Sequence, residues 1–248
     1  MTVIALTSAK HSPGVTTAAL ACATAWSAYH ESLLVEADPA GGDLAARLLL
    51  PFDPDLVSLA AASRHHGAPA SQLDAHLQPL PGGGSALLGP GSPEQAGVAL
   101  SEIGTGLFAA LAGRSGLAVV DCGRWSPTSP ARSALRVADL VLVVLRPTLE
   151  GIVHLRSRAA SLGSDANGRL GLLLVGERPY TATQVEEAVG IPVTGVLADD
   201  PRGASALYQS ASGPARRLLL VRSARSLLEV ALGHECGCVP ELPGKVRV

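Results

Sequence analysis

Four side chains of this sequence fall in an order that could hold a phosphorylated ligand and a divalent cation: Lys10, Thr16, Asp38 and Asp121. Lys10 and Thr16 lie in SAKHSPGVTT, a run of small residues between an apolar stretch (Val3 to Leu6) and a helix-forming segment that opens at Thr16. A strand that passes through such a turn into a helix leaves unpaired backbone N–H groups and the positive end of the helix dipole at one spot, and both favour an anion. The general phosphate-loop pattern is G-x-x-x-x-G-K-[ST]. Over Ala9 to Thr16 the chain keeps Gly14 and Thr16, but has Ala9 for the first glycine and Val15 where the lysine belongs. A charge-assisted contact contributes about 1.5–3 kcal/mol, so its loss weakens phosphate binding roughly ten- to a hundred-fold. Pro13 also donates no N–H to the cradle. Against these losses stands Lys10, directly after the first-glycine position, in a chain with two lysines and seventeen arginines.

The two acids end apolar runs. Residues 32 to 37, SLLVEA, read as a second strand that leads into Asp38, and residues 116 to 121, GLAVVD, as a buried strand that ends on Asp121. In open α/β sheets the C-terminal strand ends form the ligand-binding edge. A carboxylate at Asp38 could position water near a terminal phosphate; the bland alternative is a strand-end aspartate that caps its own turn. Mg²⁺ keeps most of its waters and needs a carboxylate close by. That chemistry suits Asp121, with the Thr16 hydroxyl on the ion and Asp38 beside it. The metal set expected from these residue types is therefore Thr16, Asp38 and Asp121.

SAKHSPGVTT resembles the deviant loop KGGxGKTT of the MinD/ParA family of partitioning and positioning ATPases. Lys10 matches that family's signature lysine, which implies a contact to nucleotide across a sandwich dimer. EADPAGGD is similar to the family's acidic phrase after the second strand, with Glu36 at the first acidic position and Asp38 at the second, the one that orients the attacking water. Cys122, Gly123 and Arg124 continue into a flexible loop, WSPTSPAR (125 to 132), which resembles the switch region that senses the γ-phosphate; its Pro and Ser content equally fits a passive loop. The later strand ends Gly-Glu-Arg-Pro-Tyr (176 to 180), so the family's base-reading Asn is missing, while Asp199-Asp200-Pro201 resembles the base-flanking loop. The resemblance implies a three-layer, doubly wound, mostly parallel α/β sheet that binds ATP with Mg²⁺. Its catalytic residues would be Lys10 and Asp38. Its nucleotide-binding residues would be Lys10, His11, Ser12, Gly14, Val15, Thr16, Thr17, Arg178, Asp200 and Pro201. It further implies a homodimeric positioning or partitioning switch acting on a partner protein or machine, with Val15 weakening or removing hydrolysis. The alternative in another class is a nucleotide-independent scaffold that keeps the fold and dimer surface. A small-molecule enzyme of the related synthetase and reductase families would need a nucleophile or acid/base pair beyond the phosphate site, and none is evident.

The elements that must position these residues follow in order. A helix is expected over 16 to 29 and another over 51 to 66, capped by Asp53 with Pro54 at its first position and His65-His66 at its end. A Gly/Pro-rich surface loop surrounds a short strand at 85 to 88, and Ser92-Pro93-Glu94 opens a helix reaching Ala112. Strands at 139 to 145 and 169 to 176 flank a helix through Leu162, and a helix near 181 to 189 leads to a last strand. A final helix over 215 to 233 carries Arg216, Arg217, Arg222 and Arg225 opposite an apolar face, which reads as a solvated face or as weak, salt-sensitive contact to DNA phosphates. His234, Cys236 and Cys238 are three soft ligands in five residues, short of a zinc set by one.

At 248 residues the chain suits one phosphate-loop domain over 1 to 248, with 210 to 248 as its C-terminal helix and tail. A net charge of −2 gives no global pull towards nucleic acid or anionic membrane. With seven Phe, Tyr and Trp residues, aromatic base-stacking platforms are not expected. No charged leader precedes an apolar stretch, and no run reads as long enough to cross a bilayer. Four cysteines do not make a disulfide framework, which points to a reduced, cytoplasmic protein without integral membrane association.

Overall fold

A computed structural model describes residues 1–10, 13–209 and 214–233. One eight-stranded sheet runs through it in the order β3-β4-β2-β5-β1-β6-β7-β8. The strands are β1 (Thr2–Ser8), β2 (Ser32–Glu36), β3 (Gln78–Pro79), β4 (Ser85–Leu87), β5 (Leu117–Arg124), β6 (Leu140–Leu145), β7 (Leu170–Val175) and β8 (Val193–Leu197). Every pairing is parallel except the short β3–β4 edge pair. Parallel strands covered on both faces have no solvent side, and so read as unbroken apolar runs. All six residues of β6, LVLVVL, are buried for this reason.

Helices cover both faces. On one lie α1 (Val15–Trp26) and α2 (Leu44–Leu48). The other carries α3 (Leu56–His66), α4 (Pro69–Gln72), α5 (Pro93–Ala112), α6 (Arg132–Val137), α7 (Leu149–Arg156), α8 (Ala159–Asp165) and α9 (Ala182–Val189). The chain then returns to the first face with α10 (Pro201–Gln209) and α11 (Leu219–Leu232). Two apolar clusters result, one on each side of the sheet. Phe108, Leu107 and Leu59 anchor one, and Ile4, Leu6 and the alanines of α1 anchor the other. α1 is alanine-rich because the sheet and α11 close on it from both sides; larger residues would not fit at native packing density. This is the three-layer, doubly wound α/β architecture expected from the sequence.

Several local expectations give way to tertiary context. The 51–66 helix starts later than expected and is capped by Asp55, not Asp53. The Asp55 carboxylate accepts from the Ser58 N–H at 2.8 Å, while the Ser58 hydroxyl accepts from the Asp55 N–H at 2.8 Å. Two orphan donors are satisfied reciprocally, an advantage Asp53 ahead of Pro54 does not offer. Cys122, Gly123 and Arg124 extend β5 up to the loop that begins at Trp125. Pairing with β1 continues to Ser8↔Arg124, and the Trp125 N–H still donates to the Ser8 carbonyl at 2.9 Å. The helix expected through Leu162 divides into α7 and α8, and α10 and the antiparallel β3 edge were not anticipated. The 215–233 helix begins at Leu219, after a 3₁₀ turn over Pro214–Arg217. By length and apolarity the 20-residue α5 would suffice to cross a bilayer, contrary to the reading that no segment approaches that length. Ala96, Leu100, Ile103, Leu107, Phe108 and Leu111 place one face of it in the core, where it packs as an interior helix.

Candidate phosphate and cation site

The loops after β1, β2 and β5 meet at one edge of the sheet because these strands are neighbours there. Register sets the depth of their acids. Asp121 on β5 stands opposite Leu6 on one side and Glu36 on the other. Above them opens a cavity of about 760 Å³, lined among others by Ser8, Gly14, Thr16, Thr17, Asp38 and Gly123.

Gly14 enters α1 in the left-handed region (φ 101°, ψ 40°), where a Cβ would be strained, and no side chain among the described residues caps the helix. The free N–H groups of the first turn therefore face the cavity, as the turn chemistry requires of an anion site. Thr16 and Thr17 line it; the Thr17 hydroxyl is also 2.9 Å from the Tyr208 hydroxyl of α10. Val15 sits at its rim, but its side chain is 7% exposed and packs with Ile4 and Leu6. His11 and Ser12 lie outside the described residues.

Asp121 is fully buried. Its Oδ1 accepts the Gly123 N–H at 2.9 Å, and its Oδ2 has no hydrogen-bond partner among the described residues. Burial lifts the carboxyl from the usual range to about 7; the adjacent Thr16 hydroxyl and the Gly123 N–H pull it down, and Asp38 and Glu36 push it up. An orphaned, buried carboxylate oxygen beside a threonine hydroxyl is costly without a partner and fits a hydrated Mg²⁺. Thr16 and Asp121 would hold the ion or its waters, and the ion would supply charge neutralisation for phosphate oxygens.

Asp38 forms a wall of the cavity. Its Oδ1 accepts the Ala40 N–H at 2.8 Å, the turn-capping role weighed from the sequence, yet the carboxylate also presses on Gly123. A Cβ at Gly123 would overlap it, so that position, at φ 57°, admits only glycine. Burial raises the Asp38 carboxyl, offset by the Ala40 N–H; Asp43 adds to the rise and Arg124 opposes it. Glu36, by contrast, serves the scaffold. Its Oε1 accepts the N–H groups of Asp43 (2.7 Å) and Leu44 (2.9 Å), and its Oε2 accepts that of Gly89 (3.0 Å). Three donors fix the 37–43 loop against the end of β4, so the backbone N–H groups occupy both oxygens.

Lys10 is exposed at the edge of the loop, with its ammonium 2.9 Å from Nε2 of His154 on α7; it does not line the cavity. Arg178, Asp200 and Pro201 do not line it either. Asp200 caps α10 through the Gly203 N–H at 2.8 Å, and Pro201 is the first residue of that helix. Arg178 is exposed after β7. The structure thus gathers Gly14, Val15, Thr16, Thr17, Asp38 and Asp121, and leaves Lys10, Arg178, Asp200 and Pro201 off the cavity wall. Sequence reasoning missed Arg47 and Arg124 on the cavity walls, Asp43 beside Arg47, and Gly123 under Asp38. Gly123 and Arg124 lie two and three residues after Asp121, and that proximity was their available signal.

At the far side of the same loop cluster, the chain from Trp125 to Arg132 is tied down by the buried Asp165 of α8. Asp165 accepts the Trp125 indole N–H (2.9 Å) and takes the Arg132 guanidinium on both oxygens (2.7 and 2.6 Å). Ser126, Thr128, Ser129 and Pro130, held between these anchors, form the outer cavity wall. Among the described residues no cluster of three or more His, Cys, Asp and Glu stands at ligand distance. His234, Cys236 and Cys238 lie outside them.

No family model matches the sequence, and no curated protein matches it. The fold, however, is that of ParA- and MinD-type phosphate-loop ATPases. A ParA family ATPase from Chlorobium tepidum superposes with a TM-score of 0.75 at 21% identity, covering 91% of this chain and 97% of that one. The septum site-determining protein MinD from Pyrococcus horikoshii, complexed with Mg-ADP, gives 0.73 at 18% identity over 92% and 94%. A McdA variant from Cyanothece in complex with ATP gives 0.69 at 16% identity over 93% and 96%.

Proposed function

We propose that this chain is a degenerate MinD/ParA-type ATPase, a single phosphate-loop domain that binds ATP with Mg²⁺ at the edge formed by β1, β2 and β5. The observation that carries the reading is the unpartnered Oδ2 of the fully buried Asp121, beside Thr16 and below the uncapped N-terminus of α1. The nucleotide-bound forms of two proteins of the same fold support it, P. horikoshii MinD with Mg-ADP and Cyanothece McdA with ATP. Asp38, on the cavity wall and not fully tied up by the Ala40 N–H, orients the attacking water. Hydrolysis is slow or lost because Val15 turns into the core and brings no cation to the phosphates. Arg178 and Asp200-Pro201, off the phosphate cavity, would flank the base.

In this reading the protein works in the cytoplasm as a homodimeric switch that positions or partitions a cargo through a partner protein. Lys10 would contact nucleotide in a second copy; its exposure outside the cavity supports this reading. Arg216, Arg217 and Arg222 are exposed and offer weak nonspecific contact to DNA; Arg225 is engaged by Glu229 and Tyr29. The second reading, a nucleotide-independent scaffold, draws on the same buried Val15. Titration with a fluorescent ATP analogue and Mg²⁺ separates the two. The switch reading expects micromolar binding by the wild type, tightened about ten-fold or more by Val15→Lys. If neither protein binds, the scaffold stands.

A further inference from the structure

We propose that Arg124 takes over the phosphate-binding role that residue 15 gives up, gripping the terminal phosphates of the nucleotide from the β5 wall. The inference rests on the reading of this cavity as a polyphosphate site. Val15 is folded into the apolar cluster under α1, and Lys10 is turned to His154 outside the cavity. Among the described residues, the basic side chains that line the cavity are Arg47 and Arg124.

These two differ in where they are rooted. Arg47 is committed to Asp43 at 2.9 Å and lies over the Tyr208 ring, 5.0 Å from its centroid. Arg124 ends β5 opposite Ser8, the residue where β1 gives way to the phosphate loop. It follows Gly123, whose missing Cβ lets the Asp38 carboxylate pack against the strand, and its charge acts on that carboxylate. The guanidinium is therefore rooted between the loop and the catalytic carboxylate candidate, where terminal phosphate oxygens would lie. A planar guanidinium takes two phosphate oxygens at once, which a lysine ammonium cannot do. β5 extends through residue 124, so the guanidinium is rooted on a strand end.

The test compares wild type, Arg124→Ala, Arg124→Lys and Arg47→Ala by titration with a fluorescent ATP analogue and Mg²⁺, with inorganic tripolyphosphate as competitor. Arg124→Ala is expected to weaken binding about ten-fold or more and to lower the apparent affinity of tripolyphosphate by a similar factor. Arg124→Lys should retain part of the affinity, and Val15→Lys added to Arg124→Ala should restore binding. Circular dichroism verifies that each variant is folded; if Arg124→Ala is not, Arg124→Gln replaces it. Unchanged binding in the neutral Arg124 variant overturns the proposal and leaves the nucleotide reading intact, as does a larger loss from Arg47→Ala than from the Arg124 variant. Failure of the wild type to bind either probe overturns both.

Discussion

Asp121 is the residue on which stability and ligand binding conflict. Its carboxyl is raised from the ordinary 3.8 to about 7 by burial, so between those values the folded state holds a proton that the unfolded chain releases. The stabilisation is thus fully present below about pH 4 and is lost as pH rises through about 7. The ceiling is about 4 kcal/mol, from the size of the shift. Asp121→Asn is expected to make the ligand-free protein melt higher than wild type at pH 8 and to flatten the fall in melting temperature between pH 5 and 8. It should also abolish the Mg²⁺ dependence of nucleotide binding. Melting curves at both pH values check the first part, and identical wild-type and variant slopes would refute it. Glu36 shows the opposite outcome for a neighbouring acid: three backbone N–H groups occupy it, and its sequence resemblance to a site acid led only to a structural brace.

At the level of elements, the decisive feature is the fixing of the β5–α6 segment. Trp125 and Arg132 bracket the cavity-lining residues 126 to 130, and both end on Asp165, which is 3% exposed. Burial alone would raise the Asp165 carboxyl; the Arg132 and Trp125 donors and the charges of Arg132 and Arg136 bring it below the usual range. Asp165→Ala removes a buried partner from a guanidinium and an indole, a loss of about 3 kcal/mol. The urea midpoint should fall accordingly, and amide exchange should accelerate over residues 125 to 131 before the β-sheet is affected. An unchanged exchange pattern would mean that these anchors do not control the loop. The sequence identified this stretch as a switch-like loop but could not show its anchor, because Asp165 lies 40 residues from Trp125 and carries no local pattern.

For the whole molecule, the expected behaviour is association controlled by ligand. Lys10 is exposed and touches His154 at the cavity edge, so it adds nothing to the phosphate contacts of its own cavity in this arrangement. With a non-hydrolysable ATP analogue and Mg²⁺, light scattering is expected to show a dimer for wild type and a monomer for Lys10→Ala, while titration shows nucleotide bound to both. A dimer formed equally well by Lys10→Ala, or without nucleotide, would remove Lys10 from the switch. The fold at this scale was largely legible, since successive buried parallel strands gave the runs VIAL, SLLV, GLAVV, DLVLVVL and LGLLLV. What escaped notice was short or broken: β3, α10 and the break between α7 and α8 lack a run long enough to show periodicity.

By itself, the sequence determined the local chemistry of the first turn. Gly14 permits the left-handed entry into α1, Thr16 brings a hydroxyl to the helix start, and position 15 has no cation to offer. It also determined that two apolar strands would end near acids, because that information lies within a few residues. Only the tertiary structure decided which acids meet. Parallel register placed Glu36 beside Asp121 but let the 37–43 loop claim Glu36, leaving Asp38 against Gly123 and Asp121 with an unpaired oxygen. It likewise brought Arg47 and Arg124 to one cavity from segments 77 positions apart in the chain. Pairings over such distances depend on strand order and register, which buried apolar strands encode only jointly, through the packing of the whole sheet.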